Sequence, residues 1–180
     1  DMYEAGKSSI YHLQTLGLKI PDEFKISAGY ALSRKFNDLI AGSNGFIDED
    51  IIQQAADINF EAGKMGVTMD KTPSNEIFAK KLLQNINRLV HSFEIQQADA
   101  VLDLFYQIEQ LELQIDIAEA QNTYFNKIYH RIGDLIKTDE TKAAKRNNIR
   151  KFVIMLLDIG DKLNMNTDFY RKKLDTMSVK

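Results

Sequence analysis

Apolar residues recur at steps of three and four along most of the chain, the period of an α-helix with one buried face. The pattern predicts seven helices and a short eighth, at about 2–16, 21–41, 48–64, 73–92, 96–111, 117–137, 141–163 and 167–174. No segment shows the sustained alternation of apolar and polar positions that is typical of a strand. The predicted fold class is therefore all-α: a multi-helix bundle of about seven helices, mostly antiparallel, with up-and-down connections.

Prolines and glycines support these boundaries. The two prolines, Pro21 and Pro73, stand where helices are expected to begin, and proline suits the first helical turn because the N–H groups there lack partners. The run 42–45 (Gly-Ser-Asn-Gly) predicts a turn after the second helix. Residues 1–180 are read as a single helical domain, with the loop 64–72 as the best internal boundary. Because the chain starts at Asp1 and not at Met, we expect it to be a fragment of a longer protein.

Composition argues against several classes of partner. The net charge of −3 offers no basic excess for a nucleic acid, so no nucleic-acid partner is expected. The longest strongly apolar run, 152–157, is far shorter than the ~20 residues of a membrane span, so no membrane association is expected. The absence of cysteine rules out disulfides and thiolate metal sites and agrees with a cytoplasmic location.

The sequence also lacks the motifs of catalysis and cofactor binding. Its three histidines, His12, His91 and His130, form no Glu-x-x-His pair and are read as surface residues. No phosphate-binding glycine loop and no Gly-x-Ser-x-Gly nucleophile motif occurs. We therefore predict no catalytic residue, no cofactor and no metal ligand, although the many carboxylates leave open a pair suited to glycoside chemistry.

A basic cluster lies near the start of the predicted seventh helix. Lys142, Lys145, Arg146 and Arg150 are spaced by three and four and so lie near one helix face. Two interpretations stay open: the cluster contacts an anion, or it is a solvated face near a helix start.

The stretch 116–129 is the most informative part of the chain. Asp116 and Glu119 have the spacing of a capping box. Gln121 falls on the apolar stripe of the predicted helix, with Asn122 at its edge, and buried amides must find hydrogen-bond partners. The amides either bond a neighbouring backbone carbonyl or form a polar floor under a ligand or a partner. Glu119, Gln121, Asn122 and Tyr129 are the candidate interface or ligand surface.

Two patches resemble a known family. The segment 16–21 (Leu-Gly-Leu-Lys-Ile-Pro) runs into a helix, and the segment 115–125 reads Ile-Asp-Ile-Ala-Glu-Ala-Gln-Asn-Thr-Tyr-Phe. Both resemble the C-terminal helical region of bacterial glycoside hydrolase family 57 proteins, which are α-amylase-like or α-mannosidase-like. The resemblance implies a catalytic (β/α) barrel upstream of Asp1, where the catalytic carboxylates would also lie. It implies that the helical region packs on that barrel and shapes the sugar cleft.

The leading functional hypothesis follows from this resemblance. The chain is a non-catalytic accessory domain of a carbohydrate-active enzyme of the family 57 type, and its partner is the upstream catalytic domain of the same chain. The parent protein would be a glycosidase, and the isolated fragment is expected to form a homodimer. One alternative is a stand-alone helical scaffold or protein-interaction module. Another is a small-ligand-binding bundle whose pocket is lined by Gln121, Asn122 and Tyr129.

Overall fold

The structure is a computed structural model, and it describes residues 2–43, 47–141 and 146–176. All regular elements in these ranges are helical, which confirms the all-α prediction. Nine α-helices are described: α1 (Met2–Thr15), α2 (Asp22–Gly42), α3 (Glu49–Met65), α4 (Thr72–Ser92), α5 (Ile95–Gln110), α6 (Ala118–Tyr124), α7 (His130–Thr141), α8 (Arg146–Lys162) and α9 (Asp168–Thr176). A π-helical turn, Phe125–Tyr129, joins α6 directly to α7.

Helix boundaries agree closely with the apolar pattern, with one difference around α6 and α7. The predicted helix 117–137 is a continuous helical stretch that extends to Thr141 and contains the π turn, which the pattern did not predict. The next described helix is α8, Arg146–Lys162, and the start predicted for it falls next to residues 142–145, which lie outside the described residues. Of the basic cluster, Lys142 and Lys145 lie outside the described residues.

Backbone contacts divide the chain into two compact units. The first comprises Asp1–Ile77 and Gln110–Leu113, and the second comprises Phe78–Glu109 and Gln114–Lys180. The division therefore falls inside α4 and not in the loop 64–72. The expectation of a single domain over residues 1–180 stays a prediction.

The first unit is built around one face of α2. Leu32, Phe36 and Ile40 recur at steps of four and are buried, as are Ala55 and Ile58 of α3. Asp48 caps α3 by accepting a hydrogen bond from the N–H of Ile51 at 2.9 Å, and Gly66 ends α3 in the left-handed conformation with φ 64°. The Asp48 cap fixes the start of α3, and the Gly66 cap sets the course of the chain into the loop that follows.

The second unit takes its core from α4 onward. Its buried side chains come from α4, α5, the α6–α7 stretch and α8, and they include Leu82, Ile86, Val101, Leu104, Tyr124, Ile128, Ile132, Val153, Leu156 and Leu157. Burying apolar side chains of this size is the main stabilising contribution in a helical domain of this kind. The second unit also contains the stretch 116–129, which the sequence singled out.

Among the described helices, none combines the length and the apolar character that would be needed to cross a bilayer.

Candidate functional site

The site begins at the start of α6. The Asp116 carboxylate accepts a hydrogen bond from the N–H of Ala118 at 2.9 Å. This is a two-residue Asx turn and not the three-residue bond of a capping box, because Ile117, not Asp116, is the residue that precedes the helix. Glu119 is exposed in the first turn, where a carboxylate complements the helix dipole.

The π turn at Phe125–Tyr129 keeps the apolar stripe of this stretch facing the core. Buried residues follow one another at strict steps of four: Ala120, Tyr124, Ile128, Ile132 and Ile136. Each such step advances about 40° around an α-helix, so an unbroken α-helix would rotate the last residue by about 160° from the first. A wider i→i+5 turn takes up one residue and resets the stripe. Such turns are frequent at functional sites.

The end of α8 forms the opposite wall of the site. Asn164 adopts a left-handed φ of 56°, and the N–H of Met165 bonds the carbonyl of Gly160 at 2.9 Å. This is a Schellman ending, which leaves the carbonyl of Leu163 free to accept from elsewhere. Gln121 supplies the donor, because its Nε2 lies 2.7 Å from that carbonyl. Gln121 thus lies beside the buried stripe and not on it, and its amide has the backbone-carbonyl partner that the sequence analysis considered.

A second bond joins the π turn to the segment after α8. The Tyr129 hydroxyl donates to the carbonyl of Asn166 at 2.7 Å. The Asn166 side-chain oxygen in turn accepts from the N–H of Asp168 at 3.0 Å and so starts α9. Together with the Gln121 bond, these contacts hold the segment 163–168 against α6 and the π turn.

Between these walls lies a groove of about 330 Å³, called here the amide–aromatic groove. Its lining residues are Gln121, Asn122, Phe125, Tyr129, Met165 and Asn166. Three of the six carry side-chain amides and two carry aromatic rings. Gln121 keeps its carbonyl oxygen as an acceptor, Asn166 keeps its NH₂ as a donor, and the exposed Asn122 offers both.

Aromatic rings continue from the groove onto the neighbouring surface. The rings of Phe125 and Tyr129 stack with centroids 5.6 Å apart, and Tyr170 meets Tyr129 edge to face at 5.1 Å. Phe169 packs on Tyr170 at 5.3 Å. Phe125 and Phe169 are 45% and 68% exposed, so two large aromatic faces are open to solvent beside the amides.

A polar cluster holds α9 in place behind this surface. Arg171 pairs with Asp158 at 2.7 Å and also with Asp161, while its Nε donates to the Thr167 hydroxyl at 3.1 Å. Thr167 is buried and donates to Asp161. Hydrogen bonds to Asp158 and Asp161 raise the pKa of Arg171, so the guanidinium stays charged at every pH that the fold tolerates. The cluster fixes the position of Tyr170 and Asn166.

Three of the four residues predicted for the candidate surface meet in this groove. Gln121, Asn122 and Tyr129 line it, whereas Glu119 lies outside the lining. Sequence reasoning missed Phe125, Met165 and Asn166. Phe125 follows Gln121 by four residues and could have been found by its place beside the stripe. Met165 and Asn166 are brought to the groove only by the Schellman ending of α8. This ending is hard to predict from the sequence, because the left-handed position carries Asn and not the usual Gly.

The chemistry of the groove is binding through hydrogen bonds and ring faces. Burial, together with the neighbouring Tyr170, raises the pKa of Tyr129, so its hydroxyl is a neutral donor near pH 7. Within the described residues, no three His, Asp or Glu side chains come together as a metal site, and His12, His91 and His130 are exposed as predicted. Among the described residues, no charged side chain lines the groove. The groove therefore suits an uncharged polar ligand with an apolar face.

Comparison with known protein families, with curated proteins and with solved structures gives no match. The functional argument therefore depends on the groove and on the residues around it.

Proposed function

We propose that this chain is a non-catalytic helical accessory domain of a carbohydrate-active enzyme of the glycoside hydrolase family 57 type. In this proposal it packs on the catalytic domain of the same protein and completes the sugar cleft with the amide–aromatic groove. The observation that carries the proposal is that three side-chain amides and two aromatic rings line one groove, with no charged side chain among its described lining residues.

The physical reason lies in the chemistry of sugars. A pyranose ring presents hydroxyls, which donate and accept hydrogen bonds, around an apolar C–H face. Amide side chains carry both donors and acceptors and so match hydroxyls of either orientation. Aromatic rings offer large rigid surfaces to the C–H face at low conformational cost. The segments 16–21 and 115–125, which resemble the family, add support because the second segment contains Gln121, Asn122 and Phe125.

The test is oligosaccharide binding by the 180-residue chain. Maltopentaose and mannopentaose are titrated while amide chemical shifts are followed by NMR. We expect a Kd on the order of 1 mM for at least one of them, about −4 kcal/mol, as suits a shallow groove. The shifts should centre on 121–129 and 165–166. Charge is not involved, so binding should not change with salt.

Two variants and a matched control sharpen this test. Asn122→Ala removes an exposed amide and Phe125→Ala removes a half-exposed ring, and each should weaken binding by about tenfold. Phe60→Ala is the control, because Phe60 is 74% exposed on α3 in the other unit. If neither sugar shifts the groove resonances, or if Phe60→Ala weakens binding as much as Phe125→Ala, the sugar proposal fails.

A second candidate function is a protein-interaction module that uses the same aromatic surface. The exposed rings of Phe125 and Phe169 favour it, since aromatic residues are enriched at protein interfaces. Sedimentation of the chain tests the simplest case, a homodimer. Self-association that Phe125→Ala and Phe169→Ala abolish, with no response to either sugar, would favour this second candidate.

A further inference from the structure

A second groove lies in the first unit, between α2 and the loop 66–70. It has a volume of about 550 Å³ and shares no residue with the amide–aromatic groove. The residues that matter for what it binds are Lys25, Ile26, Gly29, Tyr30, Arg34 and Val67. We call it the α2 groove.

One wall of the α2 groove is a loop held rigidly on the helix. The Ser33 hydroxyl accepts from the N–H of Asp70 at 2.8 Å, and the Asn37 amide donates to the carbonyl of Asp70 at 2.8 Å. The Asn37 oxygen also accepts from the buried hydroxyl of Ser74 at 2.6 Å. Because these bonds tie the Asp70 end of the loop to α2, this wall of the groove is in place before any ligand arrives, which lowers the entropy cost of binding.

The floor and rim of the groove have different characters. Gly29 forms the floor: a Cβ there would lie 3.4 Å from the carbonyl oxygen of Thr68, so the missing side chain leaves the space open. Ile26, three residues before Gly29, and Tyr30, directly after it, form the rim and are 75% and 73% exposed. Val67 faces them from the loop side of the lining. An apolar side chain of moderate size that lies over Gly29 could contact Ile26, Tyr30 and Val67.

Two cations stand at the ends of this apolar stretch. Lys25 is half-buried, and no carboxylate in the described part of the chain pairs with it. Among the described residues, Arg34 forms an ion pair with Asp38 alone, at 3.5 Å, and both side chains are 72% exposed, so this pair contributes little and is easily exchanged. The step from Lys25 to Arg34 covers at least about 13 Å along the helix axis.

We propose that the α2 groove binds an extended acidic peptide segment of a partner protein, with a leucine-like side chain over Gly29 and carboxylates at Lys25 and Arg34. The separation of the two cations argues for a peptide over a small carboxylate. An extended chain covers about 3.3 Å per residue, so two acidic residues about five positions apart reach both cations at once. A single small molecule reaches only one of them.

Replacing Asp70 should change the affinity for the peptide in the opposite direction from replacing Lys25 or Arg34. Its carboxylate lines the same groove and accepts from the N–H of Thr72 at 2.9 Å. Negative charge there repels an acidic segment, so Asp70→Asn should tighten binding. Asn preserves the turn, because its side-chain oxygen can accept the same hydrogen bond.

The experiment is fluorescence anisotropy of a labelled seven-residue peptide with Glu at its first and sixth positions and Leu at its third. Lys25→Gln and Arg34→Gln should each weaken binding by about two- to fivefold, the range of an exposed ion pair. Asp70→Asn should strengthen it by a similar factor. Lys80→Gln, an exposed lysine of α4, is the matched control and should have no effect. Raising the salt concentration should weaken binding of the wild-type chain.

Three results would overturn the proposal. The first is no binding of the peptide, or equal binding of a version with Lys in place of both Glu residues. The second is competition by glutarate as strong as that by unlabelled peptide, which would make the groove a small-carboxylate site. The third is self-association of the chain that Lys25→Gln and Arg34→Gln weaken, which would make a second copy the occupant. Circular dichroism of each variant establishes that the fold is intact.

Discussion

The side-chain amide of Gln121 lies 2.7 Å from the carbonyl of Leu163, the residue that follows α8. The bond spans two segments that are far apart in sequence, and it satisfies a helix-terminal carbonyl that has no partner within its own helix. It is also the contact that holds one wall of the amide–aromatic groove to the other. Gln121 therefore both stabilises the fold and lines the candidate site.

Removing this bond should lower stability. We expect Gln121→Ala to reduce the free energy of unfolding by about 1–2 kcal/mol, because the carbonyl of Leu163 loses its donor in a partly buried place. Urea denaturation measures the change. Asn122→Ala is the matched control: the side chain is exposed, so the change should stay within about 0.5 kcal/mol. Equal effects for the two variants would mean that the bond does not contribute.

Gly160 should tolerate no side chain. A Cβ built there lies 2.9 Å from Cγ2 of the buried Thr167 and 3.8 Å from the Tyr124 ring, so Gly160→Ala overpacks the contact and should cost about 1–3 kcal/mol. Gly63→Ala is the control, because Gly63 is also helical but has nothing within 4 Å. That variant should be stabilised by about 0.5–1 kcal/mol through helix propensity. Thermal unfolding should move the two midpoints in opposite directions.

Tyr124 should make the protein sensitive to high pH. Burial raises its pKa well above the ordinary value of 10.0, with smaller contributions from Tyr129 and Asp161. Above about pH 10 the unfolded chain loses this proton while the folded chain keeps it, so the unfolded state is favoured as pH rises. Its hydroxyl also donates to the carbonyl of Leu156 at 2.5 Å.

Tyr124→Phe separates these two contributions. It should cost about 1 kcal/mol near pH 7, where the hydrogen bond is lost. Between pH 9 and 11 its stability should fall less steeply than that of the wild type, since one titrating group is gone. Urea midpoints across this range provide the measurement. Parallel slopes for the two proteins would show that Tyr124 does not titrate differently on unfolding.

Glu61 should contribute the opposite dependence, at low pH. Burial acts to raise its pKa, but hydrogen bonds from Lys7 and Tyr3 outweigh burial and lower it below the ordinary 4.5. A lowered pKa means that the stabilisation is present above about pH 4.5 and is lost as pH falls through the folded-state value. Tyr11 lies 3.5 Å from the same carboxylate, so this contact ties α1 to α3.

Glu61→Gln should therefore lower stability at pH 7 and reduce the fall in stability between pH 5 and 3. Relative to the wild type, amide hydrogen exchange in this variant should accelerate more in α1 than in α4, because Tyr3 and Lys7 lose their charged partner. Glu119→Gln is the control, since Glu119 is an exposed carboxylate of α6. If the acid response of Glu61→Gln matches that of the wild type, the carboxylate does not anchor α1.

Helix positions could be predicted from the sequence because the apolar stripe is a local signal. The stripes of α3 and α5 are buried largely where the pattern expects, and the ends of these two helices differ from the prediction by one residue. Gln121, Asn122 and Tyr129 could also be singled out, since a polar residue on or beside an apolar stripe needs a partner. These inferences depend on neighbours within about one helical turn.

The π turn illustrates where local reasoning stops. The steps of four from Ala120 to Ile136 are visible in the sequence, but α4 resets a similar stripe differently, with a three-residue step from Ile86 to Leu89. Whether the chain uses a π turn or a three-residue step depends on the surfaces against which the stripe packs. Tyr124, for example, is buried and bonds to the carbonyl of Leu156. Packing against α8 therefore decides the turn.

What the sequence by itself determined is the all-α class, the extent of most helices and three residues of the amide–aromatic groove. Only the tertiary structure decided which surfaces become grooves. Asn166 reaches Tyr129 because a Schellman turn over residues 160–165 ends α8. Gly29 becomes the floor of the α2 groove because Ser33 and Asn37 hold a loop beside it. The physical reason is range: periodicity reports burial along one helix, whereas a groove is formed by residues that only long-range hydrogen bonds and packing bring together.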